Sequence, residues 1–151
     1  MNSFSIKGSS GFLKIKLEEV YDFPNETSVF GGYDTRGKLK IKSTGFSVNS
    51  TLWVSIGNIF DFYKELEITQ QKLDGIARFN SYENNLSFEV SYNSLGHVSI
   101  VGEFRDKCEE SNALKFEIKT DQSYLNRSLG KLKQMVEKYG DNRGVTLNGG
   151  A

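Results

Sequence analysis

The side chains able to do chemistry are few. His97 is the only histidine and Cys108 the only cysteine of the chain. A Ser-His-Asp or Cys-His mechanism would have to run through His97. That residue follows Gly96 at the start of a strand-like run. Alternation places it with Ser99, Val101, Glu103 and Arg105 on the more polar face, where a surface histidine is the plainer reading. Cys108 is flanked by Lys107 and by Glu109 and Glu110, whose carboxylates disfavour the reactive thiolate. One Cys and one His are too few for a zinc site. Asp141-Asn142-Arg143-Gly144 only loosely echoes a calcium loop, and neither the P-loop nor the dinucleotide glycine pattern occurs. No cofactor or metal is expected.

Carboxylates are more promising. Glu89, Glu103 and Glu117 fall on the outward faces of strand-like runs that can neighbour one another. As an acid–base pair they would suit glycoside chemistry. As a patch they would form an acidic docking surface. Arg78, Arg105, Lys115 and Lys119 offer the blander alternative of ion pairing. Tyr33, Trp53, Tyr82 and Tyr92 stand beside polar residues and are candidate interface aromatics, since Tyr and Trp are enriched at binding hot spots. For Trp53, whose neighbours are strand-like, cross-strand packing comes first.

The elements that must position these groups follow from periodicity. Phe12–Leu17 and Lys38–Lys42 alternate, with Lys14, Lys16, Lys38, Lys40 and Lys42 outward. Phe46–Ile56 reads as a strand with a break near Asn49-Ser50. Ile59, Phe62, Tyr63 and Leu66 form one helical face, with Asn58 the expected N-cap and Gly75 the stop. Four strands are predicted within 76–81, 86–91, 98–105 and 114–119, joined by short turns that favour antiparallel neighbours. Leu125, Leu129, Leu132, Val136 and Tyr139 predict a second helix, capped by Asp121 or Ser123 and ended by Gly140. Between the first two strands lies a loop of about ten residues, with the only proline, Pro24, and ending at Gly31-Gly32. The expected fold is therefore α+β: a curved antiparallel sheet, meander-like and open to a sandwich or half-barrel form, with two helices, the second C-terminal. One domain over 1–151 is expected, with 1–10 and 141–151 frayed. No internal repeat is visible.

The 13% aromatic content argues against disorder, because bulky apolar groups offset the entropy of ordering. Lys+Arg and Asp+Glu are 19 each, which argues against direct nucleic-acid binding, whose affinity comes from basic excess. Charge is uneven: residues 57–121 carry 7 basic and 12 acidic groups, and residues 122–151 carry 5 and 2. A lone cysteine suits a reducing compartment. No signal peptide or membrane-length apolar run is found, so a cytoplasmic location is expected. The Asn-X-Ser/Thr sequons at Asn25, Asn49 and Asn126 read as chance matches.

The order of motifs resembles a known family. Ile59–Leu66 (IFDFYKEL) follows strands turning at Gly45-Phe46. Then come Asn85–Val90 (NLSFEV), Leu95–Asp106 (LGHVSIVGEFRD) and Phe116–Leu125 (FEIKTDQSYL) with its helix. Over about residues 33–139 this resembles the small bacterial immunity proteins of wall-associated (WapI-type) polymorphic toxin systems. The resemblance implies a cytoplasmic inhibitor, not an enzyme. It would bind a cognate secreted toxin domain, often a nuclease, with no membrane partner. The residues expected to contact it are Tyr82, Glu83, Glu89, Tyr92, His97, Glu103 and Glu117. Two other readings stand beside it: a small-ligand β module with an apolar pocket, and an enzyme using His97. Oligomeric state and the role of residues 1–32 are left open.

Overall fold

The computed structural model describes residues 2–107 and 111–145. Cys108, Glu109 and Glu110, and the 146–151 part of the expected C-terminal fray, lie outside the described residues. Within them one plan is used twice: four antiparallel strands in a meander, then a helix. The first unit comprises β1 (Ser3–Lys7), β2 (Gly11–Val20), β3 (Asp34–Ser43), β4 (Phe46–Ser55) and α1 (Ile56–Lys72). The second comprises β5 (Ile76–Asn80), β6 (Leu86–Tyr92), β7 (His97–Arg105), β8 (Ala113–Asp121) and α2 (Gln122–Tyr139). Each sheet keeps its strands in chain order. The class is α+β as expected, but with two sheets and a structural duplication that no sequence repeat announces.

The inward faces follow the alternation. Leu13, Ile15 and Leu17 on β2 join Leu39 and Ile41 on β3, while Phe88, Val90, Val98 and Ile100 line the second sheet; all are buried in one continuous cluster. Its centre is Phe62 of α1, whose ring lies 6.0 Å from Phe4, 5.9 Å from Phe79 and 5.2 Å from Phe88. One helix residue thereby touches both sheets. On α2 the buried stripe is Leu125, Ser128, Leu132, Met135 and Tyr139. It is rotated from the predicted face, and Leu129 and Val136 pack only at its margin. The small Ser128 allows β1 to close on the helix, and its hydroxyl donates to the Ser5 carbonyl at 2.6 Å.

Several expectations are corrected. Residues 3–7 are no frayed end: the Gly8 amide donates to the Gly11 carbonyl, β1 pairs with β2, and Phe4 and Ile6 are buried. Five residues give too short an alternation to register alone. Residues 141–145 are likewise held, with the Asn142 carbonyl accepting from the Gly32 amide at 2.7 Å. β4 runs unbroken through Asn49-Ser50. Helix α1 is capped by Ser55 rather than Asn58. The Ser55 hydroxyl accepts from the Asn58 amide and the Asn58 side-chain oxygen accepts from the Ser55 amide, a capping box with Asn in the place where Glu or Gln is usual. The helix ends at Leu73 in left-handed conformation, before Gly75, and buries Thr69 and Gln70 in its last turn.

Candidate partner-binding surfaces

The sheet β5–β8 does bring Glu89, Glu103 and Glu117 onto one outer face. Register sets Arg78, Glu89, Val101 and Glu117 in one row, and Ser87, Glu103 and Lys115 in the next. The face is not acidic, however. Arg78 Nε lies 3.3 Å from Glu89 Oε1 and Arg105 Nε 2.9 Å from Glu103 Oε1, and Lys115 stands beside Glu103 across the strands. Between these charges Val101 is 51% exposed. Beneath, Gly102 gives room for two rings: a Cβ there would stand 2.6 Å from Phe88 Cβ and 2.7 Å from the tip of Phe116.

Tyr82 and Glu83 sit elsewhere, on the β5–β6 turn, where the two sheets meet the start of α1. The Tyr82 hydroxyl donates to Asp34 Oδ1 at 2.9 Å, and its amide donates to the Asn58 side chain at 3.1 Å. Burial, and then the Asp34 carboxylate, push the Tyr82 hydroxyl well above the usual tyrosine range. Its ring stacks on Phe30, with centroids 3.9 Å apart. Phe30 is 50% exposed and its neighbour Val29 95% exposed. Both ride on the loop 21–33, which is tied down along its length. Ser55 Oγ donates to the Phe30 carbonyl, the Gly57 amide to the Gly31 carbonyl, and the Tyr33 hydroxyl to the Pro24 carbonyl. Gly57 is needed for this approach, since a Cβ would lie 2.7 Å from the Gly31 oxygen. Tyr33 itself is core, not surface.

Trp53 extends this end. It is half-buried and stacks on Tyr21 at 6.3 Å, in the row formed with Arg36 and Glu19. Trp53 and Glu83 line one groove with Asp106 and Lys107. A β-bulge at Leu17/Glu19 turns both Glu18 and Glu19 outward here. The result is a partly exposed aromatic end, Phe30 on Tyr82 and Trp53 on Tyr21, whose charged neighbours are Glu19, Asp34, Arg36, Glu83, Asp106 and Lys107. The sequence singled out Tyr82, Glu83 and Trp53. It gave no sign of Val29, Phe30 and Asp34, which reach the cluster only through the folded loop and the edge of β3.

Tyr92 and His97 lie at the far end of the same sheet, about 20 Å along β6 from the Tyr82 turn. The Tyr92 hydroxyl donates to Gln70 Oε1 at 2.6 Å, and Gln70 Nε2 donates to the Gln122 carbonyl and Asn126 Oδ1. Tyr92 therefore fastens the sheet to both helices. His97 is exposed; its amide donates to the Asn93 side chain and its register partner is Asp121. The Asp121 carboxylate accepts from the Tyr124 amide at 2.8 Å as the cap of α2, a structural task.

The first sheet carries a surface of another kind. Register sets Lys14 directly opposite Lys40, and Lys16 opposite Lys38. Lys42 and Lys7 follow at one end, all six being exposed and none ion-paired among the described residues. Outer neighbours in these rows are Ser5, Asn49 and Thr51.

Comparison with known proteins fits this architecture. No curated protein matches the chain significantly. Among solved structures, one titled as that of the plant transcriptional regulator PBF-2 superposes with a TM-score of 0.56 at 9% identity, covering 90% of this chain and 80% of the other. At that identity the likeness is one of fold. The family comparison is more direct: the sequence matches the Immunity protein WapI-like family over residues 4–140. That span takes in both sheets, both helices and the N-terminal strand that the sequence motifs alone left out. The chain belongs to the immunity protein WapI-like family.

Proposed function

We propose that the chain is a toxin-neutralising immunity protein. It acts in the cytoplasm by one-to-one binding to a cognate secreted toxin domain, and it performs no catalysis of its own. Family membership supports the immunity role. The observation that carries the binding mode is the Phe30–Tyr82 stack beside fully exposed Val29, held on a loop fixed by hydrogen bonds. An aromatic anchor that is already ordered loses little entropy on docking. Tyr82 and Glu83 are then central contacts. Glu89, Glu103 and Glu117 contribute less, since Glu89 and Glu103 already have arginine partners. At this end Glu18, Glu19, Asp34, Glu83 and Asp106 outnumber Arg36 and Lys107, and that acidic excess suits a basic partner surface, as a nuclease toxin would present.

The ligand-module reading finds less support, because the space between the sheets is filled by Phe62, Phe79 and Phe88. Co-expression with the toxin domain encoded beside this chain tests the proposal. Cells survive and the two proteins co-purify if it is right. Cell death with both proteins soluble and separate would refute it.

A further inference from the structure

We infer that the outer face of the first sheet is a second binding site, for the sugar-phosphate backbone of a nucleic acid. The zero net charge argues against such binding only while charge is spread evenly. In the fold, six of the lysines gather on one face: Lys7, Lys14, Lys16, Lys38, Lys40 and Lys42. Two pairs are directly opposed across the β2–β3 ladder. Like charges placed so are destabilising, and no carboxylate in these rows relieves them. The chain thus keeps an arrangement that an anion covering the face would relieve. The side chains around the lysines, Ser5, Asn49 and Thr51, can all donate hydrogen bonds. Lysine with Ser, Thr and Asn is the set that contacts phosphate oxygens. A protein-binding patch would instead be depleted in lysine and built on exposed aromatics or arginine. Those features stand at the Tyr82 end, beyond the Glu19–Arg36–Trp53 row that bounds the lysine face. A face of lysines and small polar side chains meets phosphate and sugar rather than base edges, so binding is independent of sequence.

The test is fluorescence anisotropy of the full chain with a short labelled single-stranded oligonucleotide of mixed sequence. Engagement of about four phosphates gives a roughly 50-fold loss of affinity between about 50 and about 200 mM salt. The double variant Lys14→Glu, Lys38→Glu should abolish binding at low salt. It sets each new carboxylate opposite a remaining lysine, Lys40 or Lys16, so its melting temperature should not fall, and a binding loss cannot be blamed on unfolding. The double variant Lys131→Glu, Lys133→Glu changes the net charge equally on the exposed side of α2 and should retain most of the affinity. Absence of binding at low salt would overturn the inference. So would equal losses in the two double variants, which would report net charge alone. Poly-glutamate binding more tightly than the oligonucleotide would also overturn it, by assigning the face to an acidic protein.

Discussion

The Tyr82 hydroxyl reaches 48 positions back along the chain to donate to Asp34 Oδ1 at 2.9 Å. The bond joins the β5–β6 turn of one sheet to the first residue of β3 in the other. It also sets the ring plane on which Phe30 stacks. Tyr82→Phe removes the bond and keeps the stack, so it should cost about 1 kcal/mol of stability. Tyr82→Ala removes both, and should weaken toxin binding by at least about tenfold, the range of a hot-spot aromatic. Denaturant melts and binding titrations of the two variants separate these effects.

Alkaline pH gives a second handle on the same bond. Burial and the Asp34 carboxylate raise the Tyr82 hydroxyl above its ordinary value, and burial raises those of Tyr63 and Tyr92. A tyrosine raised on folding contributes stability that is fully present below the unfolded value of about 10 and is lost as pH rises from there toward the folded value. Stability should therefore be insensitive to these groups from neutral pH to about 9 and fall beyond about 10. Tyr82→Phe should make that fall shallower. An unchanged alkaline slope would show that Tyr82 titrates normally in the folded protein.

The opposed lysines predict a gain rather than a loss. Lys14→Glu turns the Lys14–Lys40 pair into an attractive one and should raise stability by about 0.5 kcal/mol, within the range for cross-strand charge pairs. The effect should shrink as salt is added. Thermal melts at low and high salt check both statements.

Gly102 predicts a loss. Its φ is ordinary, so the constraint is space. A methyl group would meet the Ser87 carbonyl oxygen and Phe88 Cβ, each at 2.6 Å, and backbone cannot yield as a flexible side chain can. Gly102→Ala should destabilise by about 1–3 kcal/mol, the usual cost of overpacking. Phe116→Leu, which removes the ring tip 2.7 Å from that position, should not rescue it, because the Ser87 contact persists. Denaturation of the single and double variants gives the answer.

Much of the fold could be read from alternation. The inward residues of β2, β3, β6, β7 and β8 were visible as period-two runs, and Asp121 and Gly140 bound α2 as the cap rules suggest. What escaped has physical reasons. β1 is too short to show a period and exists because a hairpin pairs it with β2. Ser55 is masked as the cap of α1 because Asn58, its partner in the capping box, is itself a good cap residue. The proposed site is legible in part. Residue type marks Tyr82, Glu83 and Trp53, and alternation marks the outward lysines. Register decided the rest. It set lysine against lysine on one sheet, and carboxylate near arginine on the other, where an acidic face was expected. Asp34 and Phe30 could not be assigned to Tyr82 without the path of the loop between β2 and β3.

Calorimetric titration of the purified toxin domain with this chain tests the central claim most directly. Wild type should bind with a stoichiometry of about one and an affinity in the nanomolar range typical of interfaces with strong hot spots. The Phe30→Ala, Tyr82→Ala double variant, folded by circular dichroism, should bind at least about a hundredfold more weakly, as expected when two hot-spot side chains are removed together. Undiminished binding by that folded variant would contradict the placement of the toxin at the aromatic end. No binding by wild type would contradict the immunity role itself.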